Sequence, residues 1–198
     1  MNDEDPHPHK SWLERLSHAL LREPQDREQL KDLLRDAKER ELLDQDALVM
    51  IEGVLKVSEM KVRDVMIPRA QMVIVEHDAT PQQALPIIKE SAHSRFPVIG
   101  ESKDAVIGIL LAKDLLQYTV EEQQAKIQIK DLVRPAIFIP ESKRLDVLLK
   151  EFRLNRNHMA IVVDEYGGVA GLITIEDVLE QIVGDIEDEY DSSDEESN

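Results

Sequence analysis

The chain has 198 residues, a mass of 22.6 kDa and 42% hydrophobic residues, so it can bury one core or two small ones and is not disordered throughout. Its formal charge of −17 argues against direct binding to a nucleic-acid backbone. The absence of cysteine excludes disulfides, thiolate metal sites and cysteine nucleophiles.

No segment predicts a membrane span or a secretion signal. The longest nearly unbroken apolar stretch, residues 105–112, is far shorter than the roughly 20 residues that cross a bilayer. The N-terminus is acidic and lacks the apolar run of a signal peptide. We therefore expect a cytoplasmic protein.

The N-terminal part of the chain is predicted to be helical. Residues 1–43 are polar and highly charged, and apolar residues at helical spacing, such as Leu30 and Leu33, predict short amphipathic helices in a partly disordered segment. A lead-in helix is predicted within residues 44–62, with Asp44 or Asp46 placed as its N-cap.

The body of the chain contains an internal repeat. Residues 63–68 recur as residues 130–135, and farther on Gly108 recurs as Gly171. We divide this part into a first repeat, residues 63–129, and a second repeat, residues 130–184. A domain as small as one copy is only marginally stable by itself, so the two copies are expected to pack on each other with approximate two-fold symmetry.

Each copy is predicted to form a strand, a helix, two strands and another helix. In the first copy these are Met72–Val75, Pro81–Ser91, Pro97–Ile99, Val106–Leu110 and Ala112–Tyr118. In the second copy they are Ile137–Ile139, Ser142–Asn155, Met159–Val163, Val169–Ile173 and Ile175–Val183. Gly167 and Gly168 permit positive φ between the last two strands, which indicates a hairpin.

The last segment, residues 185–198, carries eight acidic residues and no basic one. A charge run of this kind is typical of a solvated tail or linker. Direct binding of a divalent cation to its carboxylates is the alternative, although the segment lacks the spaced ligands and the glycine of a calcium loop.

The sequence does not predict an enzyme. It contains no phosphate-binding glycine loop that precedes a lysine, no serine-nucleophile motif and no zinc-protease motif. The six histidines show no zinc-ligand spacing. We therefore predict neither catalytic residues nor a metal site.

A threonine stands where the last predicted strand runs directly into the last helix. At a helix start the free N–H groups favour an anion, so Thr174 can present its hydroxyl to a phosphate, and Asp177 can accept hydrogen bonds from a ribose diol. The same spacing is that of a capping box, in which the two residues only cap the helix. Leu111 replaces the threonine in the first copy, so such helices form without the hydroxyl, and this favours a function for Thr174.

Two further residues precede strands at matching places in the copies. Arg95 is a permanent cation that can bind a phosphate or lie on an adenine ring, while the alternative is a surface arginine paired with acidic residues. His158, in the second copy, is first interpreted as a packing or capping residue.

The motifs together resemble tandem CBS domains, the Bateman module, and more closely the CorC family of magnesium and cobalt efflux proteins. The resemblance covers about residues 44–191. It is carried by residues 63–69 and 91–98 in the first copy, and by 150–153, 158–168 and 171–189 in the second. It implies an α+β fold of two βαββα repeats, preceded by short helices and followed by the acidic tail.

The resemblance also implies that AMP or ATP, with or without Mg²⁺, binds in the cleft between the copies. Thr174 and Asp177 would hold phosphate and ribose, and Arg95 would come from the other copy. The base would be flanked by the strand residues Ile74 and Val75 and by Met159.

A mirror-related second site is implied as well, with Asp114 and His158 as its residues. Leu111 departs from the pattern there, so we expect one nucleotide per chain. Relatives of this kind form disc-shaped homodimers through their CBS helices, which implies contacts around Leu115, Leu116, Leu179 and Ile182.

The function implied is regulation of magnesium and cobalt efflux by nucleotide binding, in concert with a membrane transporter. Relatives often carry a further domain or a membrane part that this sequence lacks, so we expect a soluble regulator or one part of a longer protein. A protein-interaction scaffold with an empty cleft is the alternative, and cation binding by residues 185–198 is a second.

Overall fold

The computed structural model describes residues 24–102, 105–118 and 127–184. The chain divides into a unit of residues 1–52 and a unit of residues 53–198. In the first unit, helix α1 (Arg27–Glu39) begins at Asp26, whose carboxylate accepts a hydrogen bond from the Gln29 N–H at 2.9 Å. This helix confirms the predicted amphipathic segment.

Helix α2 (Gln45–Val57) is the predicted lead-in helix. The Asp44 carboxylate accepts a hydrogen bond from the Ala47 N–H at 2.7 Å, so Asp44 is the cap. The last turn of the helix contributes Val57, which is 3% exposed, to a core of the second unit. Among the described residues, no helix is long and apolar enough to cross a membrane.

The second unit contains two mixed β-sheets. The first has three strands in the order β2-β3-β4, and the second has four in the order β1-β7-β6-β5. The strands are β1 (Ile67–Pro68), β2 (Val75–Glu76), β3 (Arg95–Ile99), β4 (Val106–Leu111), β5 (Phe138–Pro140), β6 (Met159–Val163) and β7 (Val169–Thr174). The helices are α3 (Pro81–Ser91), α4 (Leu145–Asn155) and α5 (Ile175–Val183), with 3₁₀ helices at Val62–Asp64, Arg69–Gln71, Ala112–Tyr118 and Ile129–Asp131.

The two sheets repeat one pattern of pairing, as the internal repeat predicts. In each, a short strand lies parallel to the next strand, which then pairs with an antiparallel partner. Arg95 faces Leu111 in the first sheet, and Met159 faces Thr174 in the second. The register shifts at corresponding places, after Val98 and after Val162. The fold is therefore a tandem βαββα repeat of the α+β class.

The segments that open the two repeats are exchanged. Strand β1 lies at the start of the first repeat but pairs with β7 of the second, and Val65 and Met66 beside it pack against the second core. Conversely, Arg134, at the start of the second repeat, forms a bridge to Ile109 of the first, and Leu132 and Val133 beside it pack against the first core. Each core is thus completed by a segment that belongs, by sequence, to the other copy.

The recurring glycines Gly108 and Gly171 make this exchange possible. A Cβ on Gly171 would collide with the carbonyl oxygen of Ile67 in β1. A Cβ on Gly108 would lie 2.6 Å from the carbonyl oxygen of Arg134. The absence of a side chain at each position lets the crossing segment approach the strand closely.

Several predicted boundaries differ from the structure. The first predicted strand, Met72–Val75, is ordered as a strand only at Val75–Glu76. Helix α4 begins at Leu145 rather than Ser142, because the preceding backbone is engaged elsewhere: the Lys143 carbonyl accepts from the Val62 N–H at 2.8 Å. The predicted helix at Ala112–Tyr118 is a 3₁₀ helix.

The hairpin between β6 and β7 is confirmed, but its two glycines differ in role. Gly167 has a φ of 82°, whereas Gly168 is not in the left-handed region. The Asp164 carboxylate accepts hydrogen bonds from the N–H groups of Tyr166 and Gly168, at 2.9 and 2.8 Å. Only the first glycine is therefore required by its backbone angle.

Candidate functional site

A cavity of about 330 Å³ opens in the second unit where β1, β3 and β7 meet. This volume lies within the range of small-molecule sites. Its lining combines apolar side chains with a few charged and polar ones. The lining residues are Ile67, Gln71, Met72, Val73, Ala92, His93, Ser94, Arg95, Met159, Leu172, Thr174, Glu176 and Asp177.

Thr174 and Asp177 stand at the junction of β7 and α5. The Thr174 hydroxyl accepts a hydrogen bond from the Asp177 N–H at 3.2 Å. In return, Asp177 Oδ2 accepts from the Thr174 N–H at 2.6 Å and from its hydroxyl at 2.7 Å. This is the capping box foreseen from the spacing. Both residues also line the cavity, so capping does not remove them from it.

One oxygen of Asp177 takes part in no hydrogen bond within the capping box. The box uses only Oδ2, and no described residue donates to Oδ1. The residue is half-buried, and it follows the amino end of a helix, whose free N–H groups attract negative charge. The arrangement offers a hydrogen-bond acceptor next to a weak anion site.

Arg95 reaches the cavity from the first repeat. Helix α3 ends at Ala92, which has a φ of 55° and is therefore left-handed. This conformation reverses the chain at once, so residues 92–95 form one wall of the cavity before β3 begins. The repeated geometry occurs at the end of α4, where Arg156 also has a φ of 55°.

The charges around the cavity are mixed. Arg95 supplies one permanent positive charge, while Glu176 and Asp177 supply two negative ones. The Glu176 carboxylate lies 3.6 Å from Nδ1 of His158, and both side chains are about half exposed, at 61% and 46%. A highly charged anion therefore meets repulsion from the acidic pair as well as attraction from Arg95.

The family comparisons agree with the repeat. A model described as CBS domain matches residues 62–121 and 129–184, and one described as the N-terminal region of NMB0537 matches residues 22–57. The chain is 55% identical over 182 residues to the magnesium and cobalt efflux protein CorC of Vibrio cholerae, covering 92% of this chain and 62% of that protein. It thus spans about three fifths of the length of this relative.

Solved structures decide the family. The CBS domain of the bacterial CNNM/CorC family Mg²⁺ transporter is 43% identical, with a TM-score of 0.76, and the match covers 82% of this chain and 99% of that one. The chain belongs to the CorC family of tandem CBS-domain proteins. The same family domain in complex with ATP matches at 46% identity and a TM-score of 0.66, covering 69% and 96% of the two chains. A CBS-domain pair with bound AMP from Klebsiella pneumoniae is 30% identical, with a TM-score of 0.56, and the match covers 64% of this chain and 100% of that one.

The structure of the CorC-family chain brings four of the six predicted residues of the main site together: Arg95, Met159, Thr174 and Asp177. The other two are not among the lining residues. Val75 is 1% exposed and belongs to the first core, and Ile74 is half-buried beside it in sequence. From this part of the chain, Met72 and Val73 line the cavity instead. They precede the strand, which begins only at Val75.

Sequence reasoning missed the cavity residues that come from exchanged or irregular segments. Ile67 lies in β1, whose pairing with the other repeat has no signal in hydrophobic periodicity. Gln71 ends a 3₁₀ helix, and Glu176 stands between the two predicted residues of the capping box. The position of Glu176 next to Asp177 was the one available signal for it.

The residues predicted for the second site have other neighbours. Both carboxylate oxygens of Asp114 accept hydrogen bonds from the Arg134 guanidinium, at 2.9–3.2 Å. The His158 imidazole lies beside Glu176, a lining residue of the main cavity.

Among the described residues, one group offers three possible metal ligands close together. Ligand atoms of Glu76, His77 and Asp78 lie within 4.8 Å of one another, outside the residues that line the cavity. The two carboxylates are exposed, which is common for acidic groups without an ion. The acidic tail, residues 185–198, lies outside the described residues.

Proposed function

We propose that this chain is a regulatory module that binds an adenine nucleotide, AMP or ATP, in the cavity described above. The observation that carries the proposal is the convergence of Arg95 from one repeat with Thr174 and Asp177 from the other on one cavity. The ATP and AMP complexes of the related CBS structures support the choice of ligand.

The cavity suggests a role for each residue. Oδ1 of Asp177 would accept from the ribose hydroxyls. The Thr174 hydroxyl would turn its one proton from Asp177 Oδ2 to a phosphate oxygen, and Arg95 would bind the phosphate beside it. The base would lie against Met159, with Met72 and Val73 in the place expected of Ile74 and Val75. No step of this role requires catalysis.

Binding would regulate through a change in the relative population of two arrangements of the repeats. A ligand shifts such an equilibrium only by its difference in affinity for the two states. The relatives' name leads us to propose control of magnesium and cobalt efflux, exerted in the cytoplasm on a membrane transport partner. We also propose a homodimer through the CBS helices. It would use Leu116 and Leu179, which are 69% and 41% exposed, whereas Leu115 is 1% exposed and lies in the core.

A Thr174→Ala substitution tests the main site against the purely structural interpretation of the capping box. Loss of the cap should lower the free energy of unfolding by about 1 kcal/mol. If the hydroxyl also meets a phosphate, nucleotide affinity should fall by about tenfold, because a hydrogen bond to a charged group contributes about 1.5 kcal/mol or more. Calorimetric titration with AMP and ATP measures the affinity, and urea unfolding measures the stability.

Thr80→Ala is the matched control. Thr80 caps α3 in the same way, with its hydroxyl accepting from the Gln83 N–H at 3.4 Å, but it does not line the cavity. It should lose stability and keep its affinity. If Thr174→Ala together with Asp177→Ala leaves affinity at the wild-type level, the cleft is not the nucleotide site and the ligand-free scaffold is the better interpretation.

A second prediction concerns the metal that accompanies the nucleotide. The lining carries Glu176 and Asp177 against Arg95, so the triphosphate of ATP should bind much better as its Mg²⁺ complex, and AMP should depend less on Mg²⁺. We expect removal of Mg²⁺ with EDTA to weaken ATP binding by about tenfold, since one unfavourable charge contact of about 1.4 kcal/mol corresponds to that factor.

Glu176→Gln removes one of the two negative charges and should reduce the Mg²⁺ dependence of ATP binding. Glu165→Gln, in the exposed hairpin turn, is the control and should leave that dependence unchanged. Equal affinity for ATP with and without Mg²⁺ in the wild type would contradict this account of the charges. Binding of Mg²⁺ alone, lost when residues 185–198 are deleted, would instead favour the acidic tail as a cation site.

A further inference from the structure

The internal repeat defines a position equivalent to the cavity of the main site, and we call this position the second cleft. The registers define the correspondence: Arg95 faces Leu111 in the first sheet as Met159 faces Thr174 in the second. Leu111 therefore holds the place of Thr174. Asp114 follows it by three residues, as Asp177 follows Thr174.

The exchanged segments extend this correspondence to the opposite wall. Ile67 pairs with Leu172 in the second sheet, and Arg134 pairs with Ile109 at the equivalent place in the first. Two backbone hydrogen bonds of 2.8 and 2.9 Å fix Arg134 there. A wall position occupied by an isoleucine in the nucleotide cavity is thus occupied by an arginine in its counterpart.

The Arg134 side chain uses this position to bind Asp114. Nη2 lies 2.9 Å from Oδ2 and 3.1 Å from Oδ1, and Nε lies 3.2 Å from Oδ2. Both carboxylate oxygens therefore accept from the guanidinium, with the Asp114 side chain 23% exposed and the Arg134 side chain 56% exposed. In the nucleotide cavity, by contrast, the box around Asp177 uses only one oxygen.

We propose that Arg134 is an internal ligand that closes the second cleft to nucleotides, so that each chain binds one nucleotide and not two. The inference rests on the proposed function of the main cavity and explains why the duplicated fold has one site. Arg134 donates to the oxygens that a ribose diol would need. Because it is tethered next to them, its effective concentration is of the order of millimolar or higher, and a free nucleotide must displace it.

The absence of a hydroxyl at Leu111 also weakens nucleotide binding in the second cleft. It removes the donor and acceptor that Thr174 supplies in the main cavity. Restoring the second site should therefore require both changes, Arg134→Ile and Leu111→Thr, each of which introduces the residue found at the equivalent place in the repeat.

The test is the number of nucleotides bound per chain, measured by calorimetric titration with AMP on the intact protein. The wild type and the single variant Leu111→Thr should bind one, and the double variant Arg134→Ile with Leu111→Thr should bind two. Arg144→Ile with Leu111→Thr is the matched control. Arg144 is also 56% exposed and donates two hydrogen bonds to an aspartate, Asp146, but it takes part in neither cleft. This control variant should therefore bind one nucleotide.

Adding Thr174→Ala and Asp177→Ala to the double variant separates this inference from the main proposal. Binding of one nucleotide should remain, now at the restored cleft. A stoichiometry of two in the wild type overturns the role of Arg134, and so does a stoichiometry of one in both the wild type and a folded double variant. If the wild type binds none and the double variant binds one, the main proposal fails while the blocking role stands. If neither the wild type nor the double variant binds a nucleotide, the main proposal and the blocking role both fail.

Should the double variant not fold, Arg134→Gln replaces Arg134→Ile. Glutamine keeps a polar side chain but lacks the guanidinium that donates to both oxygens of Asp114.

Discussion

Replacing Gly171 with alanine is expected to lower the free energy of unfolding by about 3 kcal/mol, the upper end of the usual cost of overpacking. The new Cβ would collide with the carbonyl oxygen of Ile67, which is a backbone atom and cannot rotate away. Strand β1 must then leave β7, and the pairing of Ile67 with Leu172 is lost. Both of these residues line the cavity, so nucleotide affinity should fall as well. Urea unfolding followed by circular dichroism measures the first effect and calorimetric titration the second.

Gly100→Ala is the control for this experiment. A Cβ on Gly100 would meet its nearest neighbours at 3.4–3.6 Å, which is ordinary contact, and its φ is not positive. Its stability should change by less than about 1 kcal/mol, with a gain as the usual sign when glycine is replaced at a compatible position. Similar stabilities for the two alanine variants would show that β1 does not need the close approach.

Replacing Ile129 with alanine is expected to lower the free energy of unfolding by about 2–5 kcal/mol, the range for truncating a fully buried aliphatic side chain. Ile129 is 0% exposed and packs in the first core with Val75, Phe96 and Leu110. It should therefore reduce the hydrogen-exchange protection of β3 and β4, although it lies next to the opening motif of the second repeat. Backbone hydrogen bonds hold this segment to the first repeat: the Ile129 N–H donates to the Ala79 carbonyl and the Lys130 N–H to the His77 carbonyl, each at 2.9 Å.

Ile107→Ala is the control for Ile129. It makes the same chemical change in β4 at a position that is 44% exposed, so it should lose much less stability. If Ile129→Ala lowered protection only in β5, β6 and β7, the place of Ile129 in the first core would be wrong.

Helices and strands could be predicted from the sequence where a local pattern determines them. The bounds of Pro81–Ser91, Met159–Val163 and Ile175–Val183 agree with the structure, because amphipathic periodicity, a β-branched run and a capping threonine each give a local signal. Ser142–Arg144 were predicted as helix since nothing nearby opposes it. Their backbone pairs instead with the segment around Val62, which is a distant contact.

The exchange of segments could not be predicted from periodicity, which describes which face of a strand is buried and not which sheet it joins. The repeat assigned residues 63–68 to the first copy and residues 130–135 to the second, yet each segment completes the other copy's core. The recurrence of Gly108 and Gly171 within apolar strands was the one hint of a close backbone approach.

The residues of the candidate site could be predicted where they stand at the ends of predicted strands and helices. Arg95, Thr174 and Asp177 stand at such ends and converge on the cavity. Ile67 and Gln71 come from a two-residue strand and a single 3₁₀ turn, elements too short to give a pattern. The pairing of Arg134 with Asp114 joins residues 20 apart through tertiary structure, and no spacing rule connects them.

The exchange also constrains the order of events during synthesis on the ribosome. The first core lacks Leu132 and Val133 until the start of the second repeat has emerged, and the second core, which buries Val62, includes Val178 of the last helix. A nascent chain that stops before residue 129 consequently exposes an unfilled apolar cavity, and the native state is reached only when nearly the whole module has been translated. The first core has all its residues once Val133 has emerged, whereas Val62 stays uncovered until Val178 follows, so translation pausing between these two points prolongs the exposure of apolar surface and with it the need for chaperone protection.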